Sequence, residues 1–233
     1  MRESSFNIEL INNPTKEFAY ILGFLWADGY LLPNTNTVSL EIVEKDAEII
    51  KETVLKTGNW IVYNRVRSSK DGYVRQKTTK FHVTDNILRT FLEKHDYTKK
   101  SFNSFKSIYY YLPEGLRKYF LRGYIDGDGC IYASPKNNLY QFHISSTINQ
   151  DWSIFNDIFK PFNINYHITK RNQIRSDGKI NKSSKIQTSN ADSISNFFAY
   201  IYDDFVTNNI GLLRKYNKFV DILNRQKTNI KAN

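Results

Sequence analysis

The chain has 233 residues, a single cysteine, a net charge of +10 and a pI near 9.4. One cysteine excludes an internal disulfide framework and a cysteine-based zinc site, while the positive balance points to a polyanionic partner. Residues 1–14 mix charged and polar side chains around no long apolar core, so neither a signal peptide nor a membrane span is expected. The protein is expected to be intracellular and soluble.

The first 14 residues read as a loosely held lead-in ended by Pro14. Thr15 is then placed to cap a helix over 16–28. Residues 38–43 alternate and are β-branched enough for a strand, and 46–57 carry an apolar stripe behind a capping Asp46. Strands over 60–67 and 73–84 flank Asp71-Gly72, a hairpin signal, and an amphipathic helix follows over 85–94. The segment 94–113 reads as an ordered surface connection, basic at Lys99-Lys100 and aromatic from Tyr109 to Tyr111.

A helix over 114–128 opens a second round of the same order. Strands are expected over 130–133, starting at Cys130, and over 140–145, with a helix over 150–159. A basic hairpin turns at Asp177-Gly178, and a helix covers 191–202. The segment 212–225 is a last basic amphipathic helix, and 226–233 is expected to fray. This divides the chain into a lead-in (1–14), a first half (15–94), a connector (95–113), a second half (114–225) and a tail (226–233). The fold class is α/β (α+β): two pseudo-symmetric halves, each helix–strand–strand–helix–strand–strand–helix.

One stretch is written twice. Ile21-Leu22-Gly23-Phe24-Leu25-Trp26-Ala27-Asp28-Gly29 returns as Leu121-Arg122-Gly123-Tyr124-Ile125-Asp126-Gly127-Asp128-Gly129. Gly23 and Ala27 share one helix face, as do Gly123 and Gly127, because residues four apart are neighbours on a helix. Small residues let two backbones approach closely. Helices paired along these faces would bring Asp28 and Asp128 side by side, a natural setting for a hard divalent cation. Asp126 reads as a structural or helper carboxylate, and Asp46 and Asp151 as caps. The four histidines, His82, His95, His143 and His167, show no metal-ligand spacing.

The charge is concentrated in the two predicted hairpins. Arg65, Arg67, Lys70, Arg75, Lys77 and Lys80 stand against one acid, Asp71, over 60–82. Lys170, Arg171, Arg175, Lys179, Lys182 and Lys185 stand against one acid, Asp177, over 163–187. Asn64, Gln76, Asn172, Gln173 and Asn181 are interleaved with them. A two-stranded ribbon fits the major groove, where Arg or Lys reads guanine and Asn or Gln reads adenine. Lysines at the margins neutralise phosphates. Unlike hairpins imply unlike half-sites in double-stranded DNA.

The repeated stretches resemble the paired motifs of the LAGLIDADG homing endonucleases, in the single-chain form that carries both. Gly23, Ala27, Asp28 and Gly29 match the first motif, and Gly123, Asp126, Gly127, Asp128 and Gly129 the second; Trp26 departs from it, standing where the namesake has an acid. The resemblance implies that Asp28 and Asp128 hold the metal, with Mg²⁺ expected and Mn²⁺ substituting. It also implies antiparallel sheets forming a DNA-binding saddle, and a monomer that cuts both strands of a long asymmetric target. A strand lysine assists in the family, and Lys80 and Lys185 are the symmetric candidates. An intron-encoded protein is the expected context. The alternatives are an intron RNA maturase, with RNA as a further partner, and a catalytically silent DNA-binding module.

Overall fold

Two apolar helices lie against each other at the centre of the computed structural model, which describes residues 4–67, 76–134, 139–174 and 177–231. The chain enters through β1 (Ser5–Phe6) and a one-turn helix, α1 (Glu9–Asn12). Helix α2 (Lys16–Asp28) starts at Thr15, whose hydroxyl accepts the Phe18 N–H at 3.3 Å. Every residue from Phe18 to Trp26 is buried, so the helix is apolar all round, as a core helix must be.

The first half continues through β2 (Gly29–Leu31), β3 (Thr37–Val43), α3 (Glu44–Leu55), β4 (Gly58–Asn59), β5 (Ile61–Arg67), β6 (Gln76–Thr84) and α4 (Asn86–Lys94). After α5 (Lys106–Tyr111) comes α6 (Glu114–Asp128), the second motif helix. Then β7 (Gly129–Ser134), β8 (Leu139–Thr147), α7 (Ile154–Phe159), β9 (His167–Ile174), β10 (Ile180–Thr188) and α8 (Ala191–Tyr202) repeat the order. A short α9 (Phe205–Asn208) and the long α10 (Leu213–Lys231) close the chain.

Both halves make an antiparallel four-stranded sheet of one topology, β2-β3-β6-β5 and β7-β8-β10-β9. Registers coincide as well. Glu41 faces Lys80 where Ser145 faces Lys185, and Arg65 faces Thr78 where Arg171 faces Ser183. Strand alternation sends Val38, Leu40, Ile42, Phe81 and Val83 into the core with Phe142, Ile144 and Ile186. The opposite, outward faces carry Ser39, Glu41, Lys80 and His82 in one sheet, with Ser39 and Lys80 themselves buried, and His143, Ser145 and Lys185 in the other. Among the described residues no helix is long and apolar enough to cross a membrane.

Several boundaries differ from the sequence expectation. The lead-in is held in place: Phe6 and Leu10 are buried, β1 pairs with β4, and the Phe6 N–H donates to Asp85 Oδ2 at 3.3 Å. Helix α3 starts at Glu44, so Asp46 lies inside its first turn and caps nothing. Helix α7 begins only at Ile154, because Asp151 Oδ1 takes the Ser153 N–H at 2.8 Å and holds a turn before it. Helix α10 runs on to Lys231 across the expected fraying point. The turn expected at Asp71-Gly72 lies outside the described residues, as do Lys70, Arg75 and Arg175.

Helices α2 and α6 touch backbone to backbone. A Cβ on Gly23 would lie 1.9 Å from the Phe120 carbonyl oxygen, and one on Gly123 would lie 2.0 Å from that of Tyr20. Neither obstacle is a side chain that can swing aside. Gly123→Ala should therefore cost more than the roughly 1–3 kcal/mol usual for overpacking. Gly115→Ala, in the same helix with nothing within 4 Å of the added carbon, should stabilise by about 0.5–1 kcal/mol. Urea unfolding of the two variants checks the contrast.

Candidate active site and nucleic-acid face

Asp28 and Asp128 end the two paired helices, and the packing that joins the helices joins the carboxylates. A Cβ on Gly127 would lie 2.4 Å from the Ala27 Cβ and 3.0 Å from Asp28 Oδ2. The side chain of one carboxylate thus reaches across to the last turn of the other helix. Asp128 is pushed up to about 6, by loss of hydration between the helix ends and then by the Asp28 charge, with Lys100 and Lys215 opposing. Asp28 is also raised, again chiefly by desolvation; Asp46 adds to this while Lys100, Lys215 and Arg214 oppose it. Both carboxylates still reach solvent, so water screens part of their repulsion.

Lys100 and Lys215, which the sequence reading did not single out, are the cations at this point. The last carbonyls of a helix have no partner within it, and a cation suits the negative end of its dipole. Lys100 Nζ donates to the carbonyls of Leu25 (3.0 Å), Trp26 (2.8 Å), Ala27 (2.9 Å) and Gly29 (2.6 Å), closing the end of α2. Lys215 Nζ does the same for α6, on the carbonyls of Ile125 at 3.3 Å and of Gly129. Burial lowers the pKa of Lys100 to about 8, against the pull of Asp128 and Asp28, and lowers that of Lys215 too. Lys80 and Lys185 stand on the outward sheet faces, Lys80 opposite Glu41, which borders the Asp28 cleft. Lys80 lies 5.4 Å from the centre of the Tyr30 ring.

The surroundings of the two carboxylates are unequal. Asp28 opens into a cleft of about 250 Å³ lined by Glu41, Thr78, Asp46 and Arg214. Asp128 opens into one of about 50 Å³ lined by Lys100, Ser146 and Gln150. Arg214 grips Asp46 through Nε (3.0 and 3.1 Å) and Nη2 (2.8 Å), tying α10 to the first half. On the Asp128 side, Gln150 accepts from Ser146 Oγ at 2.7 Å and donates to the Asn103 carbonyl at 2.8 Å. Asp126 borders the Asp28 cleft but is fully buried and engaged: it accepts from Tyr20 (2.9 Å), Tyr202 (2.6 Å) and the Leu212 N–H (2.8 Å). Among the described residues no three His, Cys, Asp or Glu side chains gather around one point.

Strand alternation sorts the basic candidates. Arg65 and Arg171 share the open faces with Lys80 and Lys185. Lys77, Lys170 and Lys182 alternate to the opposite face, and Lys179 sits in the turn, 3.8 Å from Asp177. Arg67 ends β5 opposite Gln76.

Residues 116–202 match the family model of the LAGLIDADG-like domain. No curated protein matches the chain. Among solved structures, the chain is similar to the homing endonuclease I-WcaI bound to its DNA recognition sequence, at 12% identity and TM-score 0.51 over 87% of this chain and 88% of that one. It is also similar to the I-SmaMI LAGLIDADG homing endonuclease bound to cleaved DNA, at 13% identity and TM-score 0.50 over 92% and 90%.

Two stability effects follow from the helix ends. Lys100→Met should lower the melting temperature, since it strips charge-assisted bonds worth about 1.5–3 kcal/mol from α2. Asp128→Asn should raise it in EDTA at pH 7.5. The folded-state pKa near 6 lies above the ordinary 3.8, so ionisation destabilises the fold progressively as pH rises from 3.8 through 6. With solvent screening the gain is about 1 kcal/mol rather than the larger value of a dry site, and it should vanish below pH 4.

Proposed function

We propose that this chain, which carries a LAGLIDADG-like domain and the fold of LAGLIDADG homing endonucleases, is a site-specific DNA endonuclease. It acts as a monomer, depends on a divalent metal and breaks both strands of a long asymmetric duplex. The observation that carries the reading is the placement of one carboxylate from each half at a shared helix end, beside sheets whose outward faces present Arg65, Arg171 and Lys185.

Asp28 and Asp128 are the residues that would hold the metal. The donor set fits such an ion: two like charges raise each other's cost of ionisation, and a cation between or beside them removes that cost. Few protein ligands suit Mg²⁺, which keeps several waters. When bound, the metal supplies an activated water and charge stabilisation at the phosphate. Lys100 and Lys215 fix the helix ends, and with them the carboxylate positions, and add positive potential where phosphate charge develops. The open faces lie along the flanking grooves, with Arg65 and Arg171 toward the bases and the outer lysines toward phosphates.

Incubation with a randomised duplex library and Mg²⁺ tests the reading. Double-strand cuts at one long site are expected, lost in Asp28→Asn with Asp128→Asn while binding persists. Specific binding that never leads to cutting, with Mg²⁺ or Mn²⁺, would overturn the enzyme and leave a DNA-binding module. The cutting rate should fall as pH drops through about 6, because protonated Asp128 no longer attracts the cation.

A further inference from the structure

Arg65 and Arg171 occupy equivalent positions, yet their surroundings differ in charge. Arg65 pairs with Thr78 across β5 and β6, and Arg171 with Ser183 across β9 and β10. Beside Arg65, on β3, stands Glu41; the register places Ser145 at the same position of β8. Glu41 Oε2 lies 3.7 Å from Arg65 Nη1, and its Oε1 accepts from Thr78 Oγ1 at 2.8 Å. The Glu41 side chain is only 4% exposed. It is anchored in the sheet face and cannot turn into solvent when a polyanion arrives. The Arg65 guanidinium, 5.9 Å from the Tyr63 ring centre, is therefore held between an acid and an aromatic ring.

In the second half the matching position is Ser145. Among the described residues Arg171, Gln173, Asn181 and Lys185 make no side-chain hydrogen bond or ion pair. The first three are exposed, and all four lie on the open face.

We propose that the two half-sites are read with unequal stringency, because Glu41 neutralises Arg65 while Ser145 leaves Arg171 free. An exposed ion pair is weak in itself. What matters is the field that reaches the duplex: the fixed Glu41 carboxylate cancels the Arg65 charge and repels phosphate, so fewer counterions are released on that side. Arg171, with Gln173 and Asn181 beside it, keeps its full capacity for guanine, and the two amides keep theirs for adenine. The second half then carries most of the base discrimination, and the first half tolerates substitution. This inference rests on the DNA-binding part of the proposed function and not on cleavage.

Fluorescence anisotropy in EDTA tests it on the full chain, with the selected duplex and its single-base variants, across a salt series. Arg171→Ala should weaken binding about tenfold to a hundredfold and flatten discrimination in one half-site. Its salt slope should drop by about 0.9. Arg65→Ala should cost less than about threefold, as an exposed paired charge does. Glu41→Ser, which copies the second half, should tighten binding and make a subsequent Arg65→Ala as costly as Arg171→Ala. Equal losses from Arg65→Ala and Arg171→Ala in the otherwise unchanged chain overturn the inference, as does an Arg65→Ala effect that Glu41→Ser leaves unaltered. Should no duplex be selected from the library, the endonuclease reading fails by itself; the salt slopes on a random duplex still separate Arg65 from Arg171. A chain that binds no duplex overturns both.

Discussion

Helices α2 and α6 meet backbone to backbone, and the site exists because of it. Gly23 meets the Phe120 carbonyl and Gly123 meets the Tyr20 carbonyl, at separations no Cβ would tolerate. Helix axes usually stay 8–10 Å apart, depending on the side chains between them. Removing those side chains at Gly23, Ala27, Gly123 and Gly127 lets α2 and α6 approach more closely. It brings their acidic ends into electrical contact, which is why Asp128 feels Asp28. A looser pair of helices would hold two independent, ordinary carboxylates.

Such closeness is costly, and the structure offsets it at the helix ends. Two C-terminal dipoles and two carboxylates converge on one small volume, all of one sign. Lys100 and Lys215 bring the opposite sign, each from the segment that follows the last αββαββα helix of its own half. The first half adds Tyr97, whose hydroxyl donates to the Leu25 carbonyl at 2.7 Å. The second half adds a buried network. Arg122 donates to the carbonyls of Ile201 (Nε, 2.8 Å) and Ile210 (2.8 Å) and to Asp204 (2.6 Å), while Asp126 collects two tyrosine hydroxyls. A charge buried this deeply is tolerable only when all its hydrogen-bonding capacity is used.

Much of this was legible in the sequence. The small-residue face, the Asp-Gly stops and the recurring order of elements are local signals, and the helix pairing and the doubled sheet topology follow from them. Lys100 was visible only as part of a basic surface run, and Lys215 as one cation of an amphipathic helix. Neither carries a spacing relative to the motif, because each reaches its carbonyls through tertiary packing across long stretches of chain. Lys80 and Lys185 stood out for the opposite reason: their positions in the repeat are regular. Regular spacing places each of them at the same register position on its sheet. Asp46 was misread as a cap for a related cause. Acids near helix starts are usually caps, and only Arg214, 168 residues away, reveals the other role.

The halves agree in backbone and disagree in side chains, and the outward sheet faces carry part of that disagreement. Core positions repeat in kind: Leu40 and Ile144, Phe81 and Ile186, Gly23 and Gly123 are apolar or small in both copies because the same packing constrains them. Glu41 and Ser145 are under no such constraint, since the strand alternation puts them on the face away from the core. A homodimer of one half would be forced to present identical faces and identical clefts. Joining the halves in one chain removes that requirement while the helix contact preserves the symmetry of the backbone. The unequal clefts beside Asp28 and Asp128 therefore need no distortion of the fold: a symmetric scaffold supports them because their differences are confined to side chains that the core does not use.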